Sequence, residues 1–424
     1  MLSQYAGLLA DAPAKWDTGN TGFMLLATSL VMLMTPGLAF FYGGLVGRKN
    51  VLAIMMQSFV SMGWTSVIWW VCGYSLCFSG DIGGLIGNLD HACMRGVNLW
   101  SEAPGGHGIP LLVFIAYQMM FAIITPALIT GAFANRVRFA PYMFFLTLWL
   151  VLVYFPFVHM IWAVDPAGNP VGLLAKWGVR DFAGGIVVHN IAGFAALASV
   201  FFVGKRRVAD PGLHSVPLVA LGTGLLWFGW YGFNAGSEFA VDQITAQAFL
   251  NTDTAASFAA IAWLFMAWIF EHKPKFVGLL TGSVAGLATI TPAAGYVDLT
   301  SAVIIGVLAG VVCYVAVQAK NHLKWDDALD VWGVHGVGGL LGIVCLGLFG
   351  QVAINPSGFN GLLYGDTTGF FMKQLGSIVF SSVYAFIFTY VMLWIINKFS
   401  RVRIAEGDEE AGLDATLHGE VAYV

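Results

Sequence analysis

Charge is what this sequence has least of: 10% of its 424 residues are Asp, Glu, Lys or Arg, against 58% hydrophobic. With a mean hydropathy of +0.79 it falls outside the range of water-soluble domains, which carry roughly 25% charged residues. Most of its surface therefore does not meet water. Strong basicity is also missing. A net charge of −4 excludes a nucleic-acid binder and a polybasic membrane-surface protein. Cysteine is scarce and unpatterned: Cys72, Cys77, Cys93, Cys313 and Cys345 show no CxxC or other metal-ligand spacing. Four of them sit in apolar runs and read as small hydrophobes. The first twenty residues lack a basic region followed by a short apolar core, and Lys15 stands too late for one. Either a precursor segment is removed or the first span acts as its own signal.

What is abundant is apolar and small. The 52 Gly and 33 Phe suit closely packed helices in lipid. Apolar runs of spanning length, about 20 residues, fall near 22–45, 51–78, 109–134, 141–163, 182–204, 216–235, 255–271, 276–293, 300–319, 331–350 and 371–397. The expectation is an all-α polytopic membrane protein with eleven transmembrane helices. Basic residues follow the odd-numbered runs: Arg48 and Lys49, Arg136 and Arg138, Lys205 to Arg207, Lys273 and Lys275, Lys320 and Lys324, then Lys398, Arg401 and Arg403. The other five, Lys15, Arg95, Lys176, Arg180 and Lys373, scatter over the opposite side. Cytoplasmic loops collect Lys and Arg, so the N-terminus is expected outside and the C-terminus inside. The outer side collects acids instead, from Asp11 and Asp17 through Glu238 and Asp242 to Asp366. They read either as ordinary solvated loops or as a means of concentrating cations.

Two segments share a pattern. Asp181-Phe-Ala-Gly-Gly-Ile-Val-Val-His189 and Asp327-Ala-Leu-Asp-Val-Trp-Gly-Val-His335 both read D-x6-V-H, and both continue x3-G to Gly193 and Gly339. The first enters from outside and the second from inside. Runs 1–5 and 6–10 therefore form an inverted 5+5 repeat (about 22–204 and 216–350) with a final helix at about 371–397. Such repeats place a transporter's functional site near the midplane, between the halves. Eight residues of helix rise about 12 Å, which in a core of about 30 Å leaves the two rings roughly 6 Å apart in depth. A single intramembrane histidine reads equally well as a hydrogen-bonding strut. Two related ones favour a pathway, because ionisable groups in a membrane are costly. No Cys or carboxylate accompanies them at ligand spacing, so metal and other cofactors are not expected. Asp181 and Asp327 open helices, and Asp181 reads first as an N-cap.

With those residues in hand, the chain resembles the ammonium transporter family (the Amt, methylammonium-permease and Rhesus group), on the bacterial and plant Amt branch. The resemblance rests on Ala39-Phe-Phe-Tyr-Gly-Gly-Leu45 with Lys49-Asn50, Gly131-Ala-Phe-Ala134 with Arg136, His159-Met-Ile-Trp162, and the Asp181 to His189 segment. It continues through Trp230-Tyr-Gly-Phe-Asn-Ala-Gly-Ser237, Thr291-Pro-Ala-Ala-Gly-Tyr296, Gly333-Val-His-Gly336, Gly412-Leu-Asp414 and His418-Gly-Glu420. What it implies is a channel that recruits ammonium at Phe121, Trp162 and Ser237, gates it with Phe121 and Phe233, and carries it past His189 and His335. Trp230 joins the pore, and Asp181 takes a structural or relay role. Taken alone, Trp162 reads as an interfacial anchor and the phenylalanines as packing.

A bare cation crosses a dry channel at great cost. Splitting ammonium into ammonia and a proton avoids most of it, and neutral imidazole offers one donor and one acceptor for a relay. The expected function is ammonium (and possible methylammonium) transport by deprotonation, in the cell's inner (plasma) membrane. The alternative is an ammonium sensor of the same fold, trimmed from a signalling fusion. No paired nucleophile and base suggests an enzyme. The resemblance further implies a homotrimer, and residues 398–424 as a cytoplasmic tail packed on the loops under a PII-type signalling partner. In isolation the tail reads as a disordered end. Asn135 stands where most relatives carry an acid, with loop packing or PII docking as the expected consequence. Pro126 is expected to kink the third helix near Phe121.

Overall fold

A membrane interior offers backbone groups no water, so a spanning chain satisfies them within helices. The computed structural model describes residues 16–98, 100–208 and 212–423 and is helical throughout. Asp11 and Lys15 of the charge pattern lie outside the described residues. Ten helices are long and apolar enough to cross a membrane: α1 Thr18–Leu45, α2 Arg48–Phe78, α3 Leu111–Phe133, α4 Phe139–Trp162, α5 Gly185–Val203, α6 Val216–Glu238, α7 Gln243–Glu271, α9 Leu299–His322, α10 Trp332–Phe349 and α11 Phe370–Phe399. Between α7 and α9 lies α8, Phe276–Ile290, apolar but of only 15 residues. A short helix, α12 Glu406–Ala411, belongs to the tail.

One boundary differs from the sequence expectation. The seventh apolar run begins near 255, yet α7 starts at Gln243. Asp242 and Thr245 close a capping box that starts the helix there, satisfying free N–H groups. Its first turns are polar because they face neighbours. Asn251 donates to the carbonyls of Ala294 and Val297 at 2.9 and 2.8 Å, and Asp253 accepts from Tyr231 at 2.6 Å. Hydropathy registers such residues as loop.

Helices at matching places in the halves pack on one another, α1 with α6 and α5 with α10. The α1–α6 crossing depends on glycine. A Cβ on Gly222 would meet the Gly37 carbonyl at 2.6 Å and the Phe41 backbone, so no larger residue lets these backbones come so close.

Loops following odd-numbered helices share one face with the tail. Asp414 accepts from the Ala53 amide at 2.8 Å, and the Ile404 amide donates to the Arg136 carbonyl at 3.0 Å. Glu409 accepts from the Arg207 amide at 2.7 Å. Arg206 pairs with Asp326 at 2.7 Å, and Arg136 reaches the same carboxylate at 3.5 Å. Burial lowers the Arg136 guanidinium to about 10, against the pull of Asp326. The tail is thus a packed element among the described residues. Loops on the opposite face also interlock, with the Asp17 amide on Gly108 and the Leu173 amide on Gly84, both at 2.8 Å. Asn135 takes a left-handed backbone, φ 65°, which Asn tolerates better than most side chains. Pro126 lies within α3, which tightens to a 3-10 turn at Thr130–Phe133.

Candidate functional site

Both histidines sit at the start of a half-repeat helix, and both starts are built alike. Asp181 precedes α5, and its carboxylate accepts the amides of Gly184, Gly185, Ile186 and Val187 at 2.7–3.1 Å. Four donors satisfy the buried charge, as an N-terminus can. Asp327 does the same for α10 through Val331 and Trp332, at 3.1 and 2.8 Å. Each helix then opens with a wide π-helical turn, Gly185–Asn190 and Trp332–Gly336, a form that recurs at functional sites. His189 and His335 lie inside those turns.

Gly193 and Gly339 explain how the rings meet. A Cβ on Gly193 would overlap the Gly336 backbone, and one on Gly339 would fall 2.7 Å from the Gly185 carbonyl and 2.9 Å from His189 Cβ. Each glycine four residues past a histidine is therefore the contact that lets α5 and α10 touch. The imidazoles stack at 5.3 Å between centroids and 19° between planes. Their Nδ1 atoms are 3.2 Å apart. Trp230 stacks on His189 at 5.4 Å and anchors its indole N–H on Thr291 at 2.9 Å. The Nε2 of His189 is buried with no hydrogen-bond partner among the described residues.

Around this pair is a cavity of about 10 Å³ lined by Met34, Leu38, Ile124, Leu226, Trp230 and Phe233 among others. That is close to the least room that holds one water-sized molecule, and its walls are almost wholly apolar. On the face opposite the tail opens a vestibule of about 740 Å³, whose lining includes Phe121, Trp162, Asp181 and Ser237. On the tail face lies a second of about 330 Å³, reached by Tyr42, Asp330 and His335. Phe121 and Phe233 lie between the first vestibule and the histidines, their rings 4.3 Å apart. Trp162 stands edge-on to Phe121 at 5.7 Å, held by its N–H on the Asp181 carbonyl at 2.8 Å. Ser237 donates to the Phe233 carbonyl at 2.9 Å, which leaves its oxygen lone pairs for an incoming N–H.

The structure thus brings together every residue singled out in sequence: Phe121, Trp162 and Ser237 at the vestibule floor, Phe233 below them, and Trp230, His189 and His335 beneath. Asp181 is at the vestibule wall, but both its oxygens face backbone amides. Sequence reasoning did not single out Tyr117, whose hydroxyl donates to the carbonyls of Gly232 and Phe233 at 2.9 Å and so fixes the end of α6. Nor did it find Thr291. Their signal is hydrogen bonding across helices, which no local pattern carries.

Two vestibules joined through a narrow apolar passage inside a helical membrane fold define a channel-type transporter. The comparisons agree. The profile of the Ammonium Transporter Family matches residues 22–423. An ammonium transporter of Bacillus subtilis is 42% identical over 411 residues, covering 96% of this chain and 98% of that one. The crystal structure of Mep2 from Candida albicans superposes with a TM-score of 0.85 at 33% identity, covering 93% of this chain and 88% of that one. A structure described as a sensor Amt protein gives a TM-score of 0.85 at 28% identity, over 94% and 98%. The chain belongs to the ammonium transporter family, and like its named relatives it is a channel-type transporter and not an enzyme.

Proposed function

We propose that this protein conducts ammonium by taking the cation at the vestibule floor, removing its proton and passing ammonia through the histidine channel. The supporting observation is the stacked pair itself, His189 and His335 with Nδ1 atoms 3.2 Å apart, in a passage with room for one small molecule. At the floor, the Phe121 and Trp162 rings offer π faces worth about 0.5–2 kcal/mol to a compact cation, and Ser237 offers an acceptor. Below Phe121 and Phe233 an unpaired charge would lose its hydration with nothing to replace it, a cost of many kcal/mol. Ammonia crosses as a neutral molecule, hydrogen-bonding to ring nitrogens on the way. The proton moves separately along the paired imidazoles, each of which both donates and accepts. Asp181 supports the relay by holding the start of α5, with its charge committed to four amides.

The same reading takes α8 as an eleventh crossing, the tail face as cytoplasmic, and the site of action as the cell's inner membrane. It takes the assembly as a homotrimer with one pathway per subunit, and the tail face as the dock for a PII-type partner. Transport is favoured over sensing because the transporter relative is 42% identical and the sensor 28%.

The test is ammonium-evoked current in proteoliposomes of purified protein beside a His189→Ala/His335→Ala double variant. Saturating current in the first and its loss in the second are expected. Equal currents would discard the relay, and silence in both would turn the reading to a sensor.

A further inference from the structure

The vestibule floor contains polar groups that the pathway above does not use. Gln118 lines it, and its side-chain oxygen is buried with no hydrogen-bond partner among the described residues. Glu238 lines it too, directly after Ser237 and closing the last turn of α6. Two acids border this cavity, Asp181 and Glu238. Asp181 is committed to four backbone amides. The Glu238 carboxylate is half-buried and makes no hydrogen bond or ion pair with any described residue.

The one arginine in the lining does not answer it. Arg180 donates to the carbonyls of Ser357, Val179 and Ala175 at 2.9, 3.0 and 3.4 Å. Its guanidinium also lies 4.7 Å over the Phe359 ring, so it is held to the far wall. The next acid along the chain, Asp242, is committed to the Thr245 amide at 3.0 Å as the cap of α7. Phe239 adopts a left-handed backbone, φ 59°, which side chains other than Gly and Asn rarely take. It is held there by ring contacts to Phe114 at 5.4 Å and Tyr117 at 5.5 Å. That turn breaks the chain off α6 immediately after Glu238, leaving the carboxylate at the vestibule.

We propose that Glu238 is an affinity-determining residue of the vestibule, its free carboxylate concentrating monovalent cations at the Phe121–Trp162–Ser237 floor. A fixed negative charge in a cleft with apolar walls focuses its field into the cleft. It acts on any small cation and is screened by salt, whereas the rings, Ser237 and Gln118 act at contact. The inference deepens the proposed conduction of ammonium and rests on it.

The experiment compares Glu238→Gln, Glu238→Asp and unmodified protein by ammonium-evoked current at low and high ionic strength, with Glu420→Gln as an exposed-acid control. The glutamine variant is expected to need roughly 3–10-fold more ammonium for half-maximal current, with most of its salt dependence gone and saturating current retained. The aspartate variant keeps the charge and stays close to the unmodified protein. Identical half-saturation in the glutamine variant, or an equal loss in the aspartate variant, would overturn the charge role. Thermal stabilisation of the detergent-purified protein by ammonium reads the same affinity without conduction. There the glutamine curve shifts by a like factor if the proposal holds, and coincident curves reject it even if no protein carries current.

Discussion

His189 and His335 meet Nδ1 to Nδ1 at 3.2 Å, so one ring must donate where the other accepts. The pair therefore holds opposite tautomers, and its two Nε2 atoms are one acceptor and one donor. Neither ring can be replaced without disturbing the other's proton. His189→Ala is expected to cut the ammonium-evoked current by about tenfold or more, within the range of positioned proton-transfer groups. His335→Ala should do likewise, and the double variant should be little worse than either single one. Additive losses in proteoliposome recordings would mean that the rings act independently.

The stack depends on glycine at the helix crossing. Gly193→Val or Gly339→Val puts a branched side chain into the facing backbone, so α5 and α10 must separate. Overpacking of this kind costs about 1–3 kcal/mol or more. A lower melting temperature in detergent should accompany loss of current. A variant that melts normally and conducts normally would show that the crossing tolerates a wider gap.

Asp181 can be tested as a cap. Its carboxylate accepts four amides, and Asn would replace one accepting oxygen by a donor. Asp181→Asn is expected to destabilise the protein by about 2–4 kcal/mol, with Asp181→Ala at least as severe. Chemical unfolding monitored by tryptophan fluorescence would read it. Full stability with lost current would instead mark Asp181 as a relay group.

On the tail face, burial tends to raise the Asp326 carboxyl, but the bond from Arg206 and the charge of Arg136 prevail and hold it below its ordinary value. A depressed carboxyl contributes stability above the unfolded value, near 4, and loses it as pH falls through the still lower folded value. Hydrogen exchange at 204–208 and 325–327 should therefore stay slow from neutral pH down to about 4 and quicken below, after correction for intrinsic rates. No such break would mean that the pair contributes nothing to this face.

Asp414 ties the tail to the start of α2 through the Ala53 amide at 2.8 Å, while Leu413 donates to Asn50 at 2.9 Å. Asp414→Ala removes the first bond and a negative charge at a helix N-terminus, worth about 0.5–2 kcal/mol. Residues 406–418 should lose exchange protection while α5 and α10 keep theirs. Unchanged protection would place the tail's hold elsewhere, at Glu409 and Arg403.

The sequence by itself determined the membrane class, most spans and the two histidines, because each is written in short-range pattern. A run of about 20 apolar residues has few homes besides lipid, and D-x6-V-H-x3-G repeats openly. The same local rule read α7 short, since its polar first turns are satisfied by residues at 294 and 297 that hydropathy cannot see.

Only the tertiary structure decided that Asp181 spends its charge on backbone amides, that Ser237 keeps lone pairs free, and that Glu238 has no partner. Each is a statement about which groups meet, and burial assigns a polar group its cost or its use only once its partners are known. The two glycines mark the boundary between the two kinds of knowledge. Their spacing was visible in the chain, but their purpose appears only where one backbone crosses the other, because close approach belongs to a pair of helices and not to either alone.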